Sequence, residues 1–178
     1  MLKKPWFGRL FPRAVTPSAQ DLQARADEDG PEAQNNLGAL LSNTDLQVAA
    51  AVSYRKAAES GNAMAQTNLA MMYATGEGVT RDDALAKKWF SRAAAQGDAA
   101  AQFHLGDHCF RASLILANKE AAQRLIEAFT WLQLASSQGY PNAETCSERV
   151  NLRMSGEDIA EGRRRVGAFV ALPETAPD

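Results

Sequence analysis

A short phrase recurs along this chain. It reads Ala33-Gln34-Asn35-Asn36-Leu37-Gly38, then Ala65-Gln66-Thr67-Asn68-Leu69-Ala70, then Ala101-Gln102-Phe103-His104-Leu105-Gly106, and faintly Ala143-Glu144. A glycine precedes each copy, and these glycines (Gly30, Gly61, Gly97 and Gly139) lie 31, 36 and 42 residues apart. Self-similarity at such a period means one supersecondary unit stacked on the next, because a single unit cannot bury its own apolar face. That constrains architecture strongly and biochemistry weakly, since a solenoid offers a surface whose partner is not written in the scaffold.

Local chemistry predicts that the units are helical. None of the seven prolines falls between residues 32 and 140, as expected of helix interiors, where proline costs about 3 kcal/mol. The recurring glycines stand where helices should end in the left-handed conformation. Pro31 and Pro141 follow Gly30 and Gly139 closely and suit the first turn of the next helix. In the second unit, Ala65, Leu69, Met72 and Tyr73 recur at helical spacing and predict a helix A over 63–75. A turn is expected at Gly76-Glu77-Gly78-Val79. A helix B over 82–96 then carries Ala86, Trp89, Phe90, Ala93 and Ala94 on one stripe. The small residue after each leucine (Gly38, Ala70, Gly106) is expected to let neighbouring helices approach closely.

The other units depart from this pattern. The first has a short Ser42-Asn43-Thr44-Asp45 turn and returns at Tyr54-Arg55-Lys56-Ala57-Ala58-Glu59-Ser60-Gly61. The third replaces the turn with residues 110–120, a longer helix or an added loop, and regains the pattern from Ala128. The fourth has only a helix A, over 141–152. Ser155-Gly156-Glu157-Asp158 resembles a capping box opening a last helix. Residues 16–29 and 155–170 are expected to cap the two ends. Arg163-Arg164-Arg165, after Glu157, Asp158 and Glu161, reads as a solvated face with i, i+4 pairing.

The string Ala65-Gln66-x-x-Leu69-Ala70-x-x-Tyr73-x-x-Gly76-x-Gly78-Val79-x-x-Asp82-x-x-x-Ala86-x-x-Trp89-Phe90-x-x-Ala93-Ala94-x-Gln96-Gly97 resembles a Sel1-like repeat, the variable-length relative of the tetratricopeptide repeat. The resemblance covers roughly residues 26–150. It implies an all-α, right-handed α-α superhelix with N- and C-terminal capping helices. The repeats would span about 31–61, 62–97 and 98–139, with a partial repeat at 140–152 and a capping helix at 155–170. The single solenoid would occupy 16–170, between a leader at 1–15 and a tail at 171–178. The resemblance also implies a bacterial, non-catalytic adaptor that binds a protein or peptide, with no cofactor and no nucleic acid.

In the tetratricopeptide fold the A helices line the concave face. Carried over with Leu37, Leu69 and Leu105 equivalent, the partner-binding residues are Asn35, Asn36, Thr67, Asn68, Met71, Phe103, His104, Asp107, Arg111 and Arg149. Amides among them could bond a peptide main chain, with Phe103 or Met71 as anchor. The alternative is that Asn36 and Asn68 make bonds between repeats. His104 and His108 are spaced i, i+4, a metal-chelating separation, but His104-x-x-Asp107-His108 lacks the glutamate of a zinc protease. A third ligand would have to come from elsewhere, such as Cys146. Cys109 takes the register of Tyr73 and is expected to be a buried thiol. Some secreted members pair two cysteines within each repeat, and a β-lactam chemistry is associated with that subclass. No repeat here holds two, so a metal-dependent or β-lactam-type hydrolase is the third reading.

Charge is unevenly spread. Residues 1–20 carry four basic groups and no acid, whereas residues 21–150 carry 11 basic and 16 acidic groups, within a net charge of −2. Two cysteines make no disulfide framework and point to a reducing, cytoplasmic setting, ahead of a periplasmic or membrane-peripheral one. The leader begins like a signal peptide, but Arg9 interrupts its apolar run, and it reads as uncleaved. Its Trp6, Phe7, Leu10 and Phe11, interleaved with Lys3, Lys4, Arg9 and Arg13, offer a second reading: docking on an anionic membrane by an envelope-associated assembly factor. Pro5 and Pro12 limit any helix between them to about two turns, and a leader that is disordered or folded back on the first helix is the simpler expectation.

Overall fold

A computed structural model describes residues 24, 26–28, 30–42 and 46–170 of the chain. The leader at 1–15, its aromatic and basic residues, and the tail at 171–178 lie outside these residues. The described helices are α1 (Pro31–Ser42), α2 (Gln47–Glu59), α3 (Ala63–Thr75), α4 (Asp83–Ala95), α5 (Ala99–Ser113), α6 (Asn118–Ser137), α7 (Ala143–Asn151) and α8 (Gly156–Ala168). They pack in chain order, each A helix on its own B helix and each B helix on the next A helix; α8 turns back onto α6. The architecture is therefore an α-solenoid of helix pairs.

The helix ends follow from single residues. Gly61 and Gly97 sit at φ +99° and +96°, a conformation open to glycine because it lacks a Cβ. One residue on, Asn62 and Asp98 cap the next A helices: Asn62 Oδ1 accepts from Ala65 N–H, and Asp98 Oδ1 from Ala101 N–H, each at 2.8 Å. Asp82 caps α4 by accepting from Ala84 and Leu85 N–H. The capping box at α8 is present: Ser155 Oγ accepts from Asp158 N–H, and Asp158 Oδ2 accepts from Ser155 N–H. Glu161 pairs with both Arg164 and Arg165 on the outer face of α8.

The recurring glutamine explains itself once packed. Gln66 and Gln102 are buried in the A helix, each donating Nε2–H to a carbonyl at the end of the preceding B helix, Ala58 at 3.1 Å and Ala94 at 3.2 Å. Each Oε1 accepts in turn from a glutamine at the end of its own repeat's B helix, Gln96 at 2.9 Å and Gln138 at 2.9 Å. One amide thus ties three helix ends, and among the described residues no buried side-chain nitrogen or oxygen lacks a partner. Thr67 adds a second link, donating to Asp98 Oδ1 at 2.9 Å. In the first unit Gln34 donates to Asp27 instead, and Lys56 also pairs with Asp27 at 2.7 Å.

The small residue after the leucine marks where an A helix meets its own B helix. A Cβ on Gly38 would stand 2.6 Å from the Tyr54 ring, and one on Gly106 would stand 2.6 Å from Leu132 Cγ and 3.2 Å from Ala128 O. Two buried clusters result. One runs from Ala26 to Leu105 through the first units; the other joins Cys109, Leu125, Ala128, Phe129, Leu132 and Val150 around α6. Residues 110–120 resolve into both expected alternatives: α5 continues to Ser113, residues 114–117 form the connection, and α6 extends over 20 residues. The register of Leu105 is taken by Ser147 in α7, which is buried and accepts from Gln133 Nε2 at 2.8 Å.

Two outcomes test this account. Gly106→Ala gains helix propensity of about 1 kcal/mol but overpacks against enclosed Leu132, at about 1–3 kcal/mol. It is expected to lower the urea midpoint; a raised midpoint would mean that the approach of α5 to α6 is not tight. In a double-mutant cycle, Gln102→Ala and Gln138→Ala are expected to couple by about 1 kcal/mol. Strict additivity of the two would show that the amide link carries no energy.

Candidate functional site

The residues expected on the A-helix surface separate into three groups. Asn35 and Thr67 are buried and already bonded: Asn35 Oδ1 accepts from Asn68 Nδ2 at 3.1 Å, and its own Nδ2 donates to Met64 Sδ at 3.4 Å. Their assignment to partner contact is corrected. These side chains join α1 to α3 and α3 to the start of α5, because a buried amide or hydroxyl without a partner is costly. Asn68 shares in that link, while Asn36 on α1 and Met71 on α3 remain exposed.

Phe103 and His104 form an aromatic packing group. Phe103 lies 5.0 Å from the Tyr140 ring, and His104 stacks on Phe90 of the preceding B helix at 4.8 Å. Both are half-buried, with part of each ring taken up by this packing. Burial holds the His104 imidazole below its ordinary value of 6.5, against the opposing pull of Asp107 and Asp98. Exposed His108 is not joined to it by a third ligand. Among the described residues no group of three or more His, Cys, Asp or Glu could hold a metal ion. Cys109 is buried, its thiol raised to about 11 by burial and by Glu127, toward whose Oε2 the thiol points at 3.6 Å.

Asp107, Arg111 and Arg149 are brought together. They rim a groove of about 200 Å³ between the end of α5 and α7, with Phe110, Leu114, Leu132 and Cys146 as its other walls. Arg111 Nε pairs with Asp107 Oδ2 at 2.8 Å while the arginine stays 76 % exposed. The Arg149 guanidinium lies over the Phe110 ring, 5.6 Å from its centroid, a cation–π contact. The groove exists because α5 and α7 touch only slightly, whereas both pack on α6. Phe110 and Leu114 fall outside the sequence reading of the site. The signal that marks them is the loss of the repeat pattern from residue 110. Cys146 appears in that reading only as a remote metal ligand; here it is a half-buried groove wall.

The spacing Ser53-Tyr54-Arg55-Lys56 matches the Ser-x-x-Lys of some serine hydrolases. In the fold Ser53 is completely buried in α2 and Lys56 is paired with Asp27, so the serine is not presented to a substrate. No described helix is long and apolar enough to cross a membrane.

Stacked helix pairs, left-handed glycines between them and a groove made from A helices define an α-repeat protein. The family profile described as Sel1 repeat matches residues 31–44, 54–62, 63–98 and 99–140, and the chain belongs to the Sel1 repeat family. Sel1 repeats generally serve as protein–protein interaction modules and are typically non-catalytic scaffolds. The fold is similar to a Sel1 repeat protein from Oxalobacter formigenes, with 30 % identity, a TM-score of 0.59, and coverage of 73 % of this chain and 96 % of that one. It is also similar to a protective antigen of uropathogenic Escherichia coli strains with an SLR fold, at 23 % identity and a TM-score of 0.73. That likeness covers 85 % of this chain but 32 % of the antigen, so the chain spans about a third of the antigen's length. No curated protein is significantly similar to the chain.

The state of His104 has a measurable consequence. Its folded-state pKa is depressed, so the unfolded chain takes up a proton near 6.5 while the folded chain does so only at lower pH. Stability is expected to be fully present above about pH 7 and to fall as pH drops through that window. His104→Phe, which keeps a ring against Phe90, is expected to flatten the urea midpoint between about pH 5 and pH 7. A profile as steep as that of the wild type would place the titration elsewhere.

Proposed function

We propose that this chain is a non-catalytic adaptor that holds an extended segment of a partner protein in the groove between α5 and α7, on the face lined by A helices. The observation that carries this reading is the groove itself, in which Phe110, Leu114 and Leu132 lie beside Asp107, Arg111 and Arg149 between two successive A helices. Its volume of about 200 Å³ suits one anchoring side chain and is below the roughly 300–1,000 Å³ usual for small-molecule sites. A buried anchor with polar groups around it is the pattern of a protein-recognition hot spot. The groups that would supply nucleophilic chemistry are poorly placed for it. Ser53 is enclosed, the Cys109 thiol is held protonated near neutral pH, and His104 is stacked.

Cys146 gives a reversible test. A benzyl methanethiosulfonate is expected to modify half-buried Cys146, filling the groove, and to spare Cys109, which is buried and carries little thiolate. Peptides selected from a phage-displayed random 12-residue library on the unmodified chain are expected to lose binding on modification and regain it on reduction. Peptides that bind the modified and unmodified chains equally would place recognition outside the groove.

A further inference from the structure

Resting on the reading of the groove as a segment-binding site, we infer that the segment it accepts is acidic: a carboxylate seated between Arg111 and Arg149, next to an apolar side chain on the Phe110, Leu114 and Leu132 floor. The groove wall carries Asp107, Arg111 and Arg149 as its charged groups, one acid against two bases in a chain of net charge −2. Arg149 has no carboxylate within ion-pair distance among the described residues. Its recorded partner is the Phe110 ring. A cation–π contact is not an ion pair, so it leaves the charge-assisted hydrogen-bonding capacity of the guanidinium N–H donors to an incoming acceptor. Those donors form a fork matched to a carboxylate.

Arg111 is engaged but readily exchanged. Its pair with Asp107 is an i, i+4 contact on an open helix surface, with the arginine 76 % exposed, and such pairs contribute little. An incoming carboxylate can therefore share or replace Asp107 at small cost. Beside it the exposed side of Leu114 continues the apolar floor out of the groove. Rim charges of this kind select partners and speed encounter by electrostatic complementarity. A basic segment would meet both arginines and find Asp107 already paired.

The same phage-displayed 12-residue library distinguishes the outcomes. Selected sequences are expected to share Asp or Glu within two residues of Leu, Phe or Met. A synthetic peptide of that consensus is expected to bind Arg149→Ala at least tenfold more weakly in fluorescence polarisation. It is also expected to weaken as salt rises and when its own acid is changed to the amide. Arg149→Lys, which keeps charge without the planar fork, is expected to recover only part of the loss. Arg149 is exposed, and matching thermal melts would show the variants folded. Selected peptides that lack acids and bind Arg149→Ala as well as the wild type, yet are displaced by Cys146 modification, would overturn the acidic specificity and leave the groove standing. Peptides indifferent to Cys146 modification, or no selection at all, would overturn both.

Discussion

The buried glutamine amide is the contact on which the stacking of repeats depends. A helix B ends with carbonyls that have no partner within the helix, and the next repeat must cover that end without leaving it dry. The Ala58 and Ala94 carbonyls accept from Gly61 and Gly97 N–H, Gln66 and Gln102 add a second donor to each from the following A helix, and Gln96 and Gln138 donate to the same two amides. Directionality matters here. Apolar contacts between alanines would tolerate sliding, but an amide with a donor and an acceptor both placed fixes one register between repeats. Ala101, Ala93 and Ala94 can then close completely around it.

From that register follow the close approaches that set the spacing of helices. Gly38 and Gly106 each stand at an A helix crossing its own B helix, where the facing ring or leucine occupies the space a Cβ would need, and Ala70 at the same register is fully buried. In the second repeat Gly78 plays a related part across repeats. Its missing side chain leaves room for the Gln47 carbonyl at the start of α2 and for Met72 Cε. The third repeat loses this turn, and its long α6 becomes the centre of a second core joined by Val150, with Gly162 of α8 against Phe129. Trp131 and Phe169 meet edge to face at 5.9 Å and hold the end of α8 to the same helix. The groove is a by-product of this change. Both α5 and α7 pack on α6, and the space between them is left to side chains.

That origin explains why the candidate site was only partly legible. Register arguments placed Asp107, Arg111 and Arg149 on one surface, and these three do share a groove. The same arguments placed Asn35 and Thr67 there, and these are consumed by links between repeats. A periodic sequence shows which positions repeat but not whether a polar group at such a position faces a neighbour or solvent. Phe103 illustrates the same ambiguity, because an aromatic at that register is an anchor if open and a packing group if Tyr140 lies beside it.

By itself the sequence determined the helix pairs, their order and the glycine-marked ends between repeats; it left residues 110–120 open and put Pro141 in the first turn of α7, which starts instead at Ala143. Glycine at a left-handed helix end, a capping side chain one residue later and the absence of proline are local requirements of the backbone. Local requirements can be read from adjacent residues. Only the tertiary structure decided which side chains remain available. His104 stacks on a residue fourteen positions away, Thr67 bonds a cap thirty-one positions away, and the groove joins Phe110 to Arg149. Those choices depend on the distance and angle between helices, which packing volume and buried hydrogen bonds set for the whole stack at once.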